Sequence, residues 1–178
     1  MIIVIDAGHG GNDPGAVGEN IQEKDVALDI AQMLSCELHY LGYTPILTRS
    51  GDYFVTLDDR AEQANTLDAD LFVSIHINAA ENPQANGIET YHHPNSINGK
   101  ELATQVQERL ISTLERRNRG VKTAKFAVLR KTSMPAILAE IGFISNPEEQ
   151  ELMKECQWKF KAAKALSRGI TNYIRRNE

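Results

Sequence analysis

Short apolar runs of β-branched residues alternate along this chain with longer stretches whose apolar positions recur every three or four residues. Ile2-Ile3-Val4-Ile5 is continuous enough for a strand buried on both faces. From Lys24 to Tyr40, Val26, Ile30, Leu34 and Leu38 repeat at near-four spacing, which predicts a helix with one apolar stripe, ended by Gly42. Thr44 to Thr48 reads as a short strand, and Pro45 puts it at a sheet edge or a strand start. Leu57, Ala61 and Ala64 mark a second helix, to about Thr66. Leu71 to Ile77 alternates, with Leu71, Val73, Ile75 and Ile77 on one face and Phe72, Ser74 and His76 on the other. Asn86-Gly87 opens another strand, Ile88 to His92. Gly99 to about Arg117 is helical, with Leu102, Ala103, Val106, Leu110 and Leu114 inward.

Phe126 to Leu129 and Ala136 to Ile141 read as two further strands. In the second, Ile137, Ala139 and Ile141 share one face; Ala136, Leu138 and Glu140 share the other. Asn146-Pro147-Glu148-Glu149 carries a capping residue, a proline and first-turn acids, which start a helix. A final helix runs from about Trp158 to Arg175. Strands alternating with helices define an α/β fold: one domain over residues 1–178, with a single sheet of about six strands flanked by helices on both faces.

Composition narrows the function without naming it. The net charge of −5 gives no general electrostatic case for nucleic acid. Local basic clusters (Arg116, Arg117, Arg119; Lys159, Lys161, Lys164) read as solvated faces. No apolar run approaches the ~20 residues of a membrane helix. The N-terminus lacks the basic and long apolar regions of a signal peptide, so the expectation is release by lysis or a domain cut from a longer chain. The two cysteines, Cys36 and Cys156, lie in helical patterns and are expected to be free buried thiols.

Chemistry concentrates where strands end. After Ile5 the chain enters a loop with glycines at 8, 10, 11 and 15 around a single histidine, His9. A dinucleotide fingerprint fails here because Asp13 stands where its last glycine belongs, and a Walker loop fails because no lysine follows Gly15. His76 ends the central strand, Glu140 interrupts an apolar one, and Glu23 heads the first long helix. Two histidines and a carboxylate leave a fourth coordination place open, as catalytic zinc requires. Each residue also has a plainer reading. His76 could be a satisfied core residue, and Glu23 a first-turn acid on the helix dipole. Glu140 is harder to dismiss, since an ionised carboxylate in an apolar strand is costly without a partner or a cleft. Asn78, two residues past His76, reads equally as a substrate contact, a ligand-orienting group or a turn residue. His39, His92 and His93 are assigned to packing or surface.

Four separated motifs carry a resemblance: Asp6-Ala-Gly-His9-Gly-Gly-Asn-Asp-Pro-Gly15, Gln22-Glu23-Lys24, Ser74-Ile-His76-Ile-Asn78 and Ala139-Glu140-Ile-Gly-Phe-Ile-Ser-Asn146. In this order they resemble the zinc N-acetylmuramoyl-L-alanine amidases of bacterial cell-wall lysis. Leu47-Thr-Arg49, Arg60 with Asn65, and Arg119-Gly120 extend the likeness over almost the whole chain. The resemblance implies a mixed, twisted sheet, one zinc ion on His9, Glu23 and His76, and Glu140 as the catalytic acid–base group. It implies peptidoglycan as substrate, action at the cell wall, no nucleic-acid partner, no membrane insertion and a monomer. A zinc peptidase or deacetylase, and a non-catalytic wall-binding domain, are the alternatives.

Overall fold

β1 (Ile2–Ala7) lies inside a six-stranded sheet, between β4 (Thr44–Leu47) and β5 (Leu71–Asn78), and is parallel to both. The computed structural model describes residues 1–177. The sheet continues through β8 (Ala136–Phe143) and β6 (Ile88–His92) to β7 (Asn118–Thr123). Only the β6–β8 pairing is antiparallel, so the sheet is mixed. Short strands β2 (Val17–Gly18) and β3 (Ile21–Gln22) form a separate ribbon leading into helix α1 (Glu23–Tyr40). β4 is an edge strand, as Pro45 requires.

The period-two pattern sorts the two faces. Ile3, Ile5, Leu71, Val73, Ile75, Ile137, Ala139 and Ile141 point into the larger core with α1, α3 (Ile97–Leu114) and α6 (Cys156–Asn177). Ile30 and Leu34 of α1 are fully buried there, each worth about 1.5–3 kcal/mol. The other face is apolar at one end, where Val4, Phe72, Ala136 and Leu138 pack under α2 (Leu57–Thr66) and α4 (Ala127–Lys131). Further along the same face the register gives Asp6 beside Ser74 and His76 beside Glu140. The side chains turn from apolar to ionisable at the ends of the parallel strands, where open α/β sheets bind ligands. α5 (Pro147–Lys154) starts on its expected cap, with the Asn146 side chain accepting from the N–H groups of Glu148 and Glu149.

Three expectations are corrected. Phe126–Leu129 is no strand: Phe126 caps α4 and the next residues form a single helical turn or so. A four-residue apolar run carries no period, so it fits a buried helical turn as well as a strand. The sixth strand is instead β7, a half-exposed edge segment of mostly polar residues with no apolar alternation. The helix expected to reach Arg117 ends at Leu114, where Glu115 takes a left-handed conformation. Both cysteines are free, as expected, but exposed rather than buried.

Candidate active site

The site is built on a braced loop. His9 adopts φ +61, a conformation costly for a residue with a side chain. Its carbonyl accepts from Arg60 Nη2 at 2.6 Å, which holds it there. Arg60 Nη1 also bonds Asp6 Oδ1 at 2.7 Å and the Ala7 carbonyl at 2.6 Å. Arg49, 0% exposed, donates to the carbonyls of Ala7, Gly8, Lys24 and Gly51 at 2.7–3.1 Å. Burial alone would raise the Asp6 pKa. Arg60, with the hydroxyls of Ser74 and Thr48 at 2.6 and 2.7 Å, outweighs it and keeps the carboxyl below its ordinary range.

On this brace three groups converge. His9 Nε2 lies 3.2 Å from Glu23 Oε1, and His76 Nδ1 lies 2.9 Å from the same oxygen. One ligand-type atom from each of His9, Glu23 and His76 falls within 4.8 Å of the others. The imidazoles meet edge to face, with centroids 4.9 Å apart. Glycines make the space. A Cβ on Gly15 would come within 2.6 Å of both Glu23 Oε2 and His9 Cδ2, and one on Gly8 would collide with the His76 ring. Glu23 is further fixed by the N–H groups of Ala16 (2.8 Å) and Ile77 (3.0 Å).

His9 Nδ1 is engaged by Asp13 Oδ2 at 2.8 Å, which turns Nε2 toward Glu23. Such an outer carboxylate typically fixes the orientation of a ligating histidine. The sequence marks Asp13 as the residue that spoils a phosphate loop and as a member of the first motif, but assigns it no role. Burial would lower the His9 pKa, but Glu23 and Asp13 outweigh it and hold it at about 9. The same competition, won by the bond to Glu23, raises His76. Glu23 moves far below the usual carboxylate range: burial opposes ionisation, and the two histidines overcome it.

Glu140 stands apart. It is level with His76 on the next strand, and its Oε2 is inaccessible and has no hydrogen-bond partner among the described residues. Burial, helped by Glu23 and Glu89 and opposed by His76, pushes its carboxyl up to about 7. A perturbed acid in a cleft, poised near neutrality, suits proton transfer. The cleft, about 470 Å³, runs past His9, His76 and Glu140, with Phe54, Leu57, Phe126 and Val128 as apolar walls. Asn78 lies outside the converging trio: its amide donates to Glu89 Oε1 at 3.0 Å, and its carbonyl accepts from Ala79 N. His92 is buried and His39 exposed, so neither joins the site.

An α/β sheet that brings together an imidazole from the loop after β1, one from β5 and a carboxylate from the head of α1, with an unpaired acid beside them on β8, forms a centre able to hold a metal ion. The chain belongs to the N-acetylmuramoyl-L-alanine amidase family, whose model matches residues 3–172. It is 43% identical over 175 residues to the N-acetylmuramoyl-L-alanine amidase LytC of Bacillus subtilis (strain 168), covering 97% of this chain and 35% of LytC. It is 38% identical over 181 residues to the endolysin of Bacillus phage SPP1, covering 97% of this chain and 66% of the endolysin. The chain therefore spans about a third of the first relative's length and about two thirds of the second's. The crystal structure of an N-acetylmuramoyl-L-alanine amidase from Clostridium difficile 630 superposes with a TM-score of 0.96 at 37% identity, covering 99% of this chain and 98% of that one.

Proposed function

We propose that this chain hydrolyses the amide between the lactyl group of N-acetylmuramic acid and the L-alanine of the peptidoglycan stem peptide, using one zinc ion held by His9, Glu23 and His76. The observation that carries this reading is the convergence of those three donors within 4.8 Å of one another. The donor set fits zinc, which takes imidazole and carboxylate ligands and keeps a place open in catalytic sites. The glycine cradle and the outer Asp13 carboxylate fit it too. When bound, zinc supplies Lewis acidity toward the scissile carbonyl and lowers the pKa of water.

The remaining work falls to Glu140. As water adds to the amide carbon, its carboxylate takes the proton that water releases. It then delivers that proton to the nitrogen as the C–N bond breaks, because an amine leaves poorly as an anion. The products are a lactyl carboxylate on the glycan and a peptide with a new N-terminal alanine. The apolar walls of the cleft limit solvent around Glu140 and keep its carboxyl ready to hold a proton. The protein acts at the cell wall, as a monomer, with no nucleic-acid partner. No helix of the described residues is long and apolar enough to cross a membrane.

The test is a muropeptide digest read by mass spectrometry, with and without chelator. Intact stem peptides beginning with alanine, lost on chelation, are expected. Shortened stems would make the enzyme a peptidase; deacetylated glycans would make it a deacetylase. Metal uptake gives a second check. With its pKa at about 9, the His9 imidazole carries a proton at neutral pH in the metal-free protein, and binding must expel it. Zinc affinity therefore rises with pH through the neutral range, as His9 and the likewise raised His76 give up their protons. Calorimetry in buffers of different ionisation enthalpy should register the released proton, and affinity flat from pH 6 to 9 would contradict a ligand role for His9.

A further inference from the structure

One strand beyond Glu140, on the side away from the histidines, lies a second charged cluster. Glu89 of β6 pairs in register with Glu140 of β8, which pairs with His76 of β5, so the three stand in one row across the sheet. Glu89 is 3% exposed. Its Oε1 accepts from Tyr91 (2.6 Å) and Asn78 (3.0 Å), and its Oε2 accepts from both Arg119 Nε (2.7 Å) and Lys122 Nζ (2.6 Å). Two cations on one carboxylate leave a surplus positive charge, in a chain whose net charge is −5.

Donors are also left over. Among the described residues, Lys122 Nζ has no other acceptor, and Arg119 has only the Asn86 carbonyl, 3.4 Å from Nη1. Arg119 is held in place by the Phe143 ring, 4.8 Å from its guanidinium. Their side chains are 27% and 38% exposed, so solvent and ligands can reach both. Arg60, the guanidinium that lines the cleft itself, is occupied by Asp6 and by main-chain carbonyls.

We propose that Arg119 and Lys122 form a carboxylate-binding subsite for the stem peptide, engaging the residue after the alanine. The inference rests on the amidase reading, and its geometry follows from it. With the leaving nitrogen held at Glu140, a peptide that runs along this row away from the histidines passes over β6 toward β7. Neighbouring strands lie ~4.8 Å apart, and an extended residue spans about 3.5 Å. The first carboxylate beyond the alanine therefore reaches the Glu89 cluster. In peptidoglycan that position is a glutamate linked through its side chain, whose α-carboxyl is either free or amidated. The free acid can take the spare N–H groups of Lys122 and Arg119 and pair its charge with theirs; the amide offers them only a neutral oxygen.

The experiment compares two muramoyl peptides that differ only in that α-carboxyl, free against amidated. The wild-type protein is expected to cleave the acid with a kcat/KM about tenfold higher, mainly through KM, the gain of a charged over a neutral acceptor. Lys122→Gln should lower the ratio markedly, the remainder resting on Arg119, which stays on Glu89, and Lys122→Arg should restore it. A calorimetric titration of the two released peptides into the same proteins should follow the same order without any turnover. Equal cleavage of both substrates by the wild-type protein, or a ratio unmoved by Lys122→Gln, overturns the subsite and leaves the amidase reading intact. Cleavage of neither substrate overturns both.

Discussion

Glu140→Gln should cut turnover on peptidoglycan by about 10²–10⁴-fold, the usual worth of general acid–base help, while the protein still folds and takes up zinc. The amide keeps the shape of the side chain but cannot accept and return a proton. Its structural cost is small, because Oε2 has no partner to lose among the described residues. The sign of the stability change follows from the pKa. Glu140 is raised to about 7 in the fold, above its value near 4.3 in an unfolded chain. Its ionisation therefore opposes folding, increasingly as pH climbs from about 4 to 7. The metal-free variant should melt no lower than the wild-type protein at pH 8. Muropeptide release rates and a thermal melt on one preparation check both halves, and normal turnover would remove Glu140 from the reaction.

Arg60→Met should be the most destabilising single change near the site. It keeps much of the side chain's packing but strips Asp6, 1% exposed, of its cation. Breaking a buried ion pair in this way costs about 3–5 kcal/mol, a large part of the total for a domain of this size. That lowers Tm by about 6–20 °C. The loss depends on pH with a defined sign. In the wild-type protein the depressed Asp6 carboxyl stabilises the fold above about pH 4, and this is lost as pH falls through its lower folded value. In the variant, the unpaired carboxylate is unfavourable wherever it is ionised, so the gap between the two proteins narrows in acid. Melting curves at pH 7 and pH 4 test this. A gap that stayed constant would place the cost in packing, not charge.

Much of this architecture is legible from alternation alone. β1, β5 and β8 carry unbroken period-two or fully apolar patterns, and their faces lie where those patterns require. His9, His76 and Glu140 stand out because each is an ionisable group at the end of, or within, an otherwise apolar strand. What escapes is what periodicity does not encode. Val128 and Leu129 are as buried in a short helix as they would be in a strand. β7 is held by pairing with β6 across a bulge between Ile88 and Glu89, and shows little apolar pattern of its own. Cys36 sits within α1 but off its apolar stripe, and so meets solvent. The roles of Arg49 and Arg60 are hidden for another reason: their partners are mostly main-chain oxygens distant in sequence, at the end of β1, in the loop after it and at the start of α1, and no residue identity announces those.

Arg49 grips four peptide oxygens and, among the described residues, no side chain. Such a grip is blind to which amino acids carry those oxygens. Drift in the identity of residues 7, 24 and 51 leaves it whole, whereas a deletion that moves the loop's path by one bond would empty the guanidinium's hand.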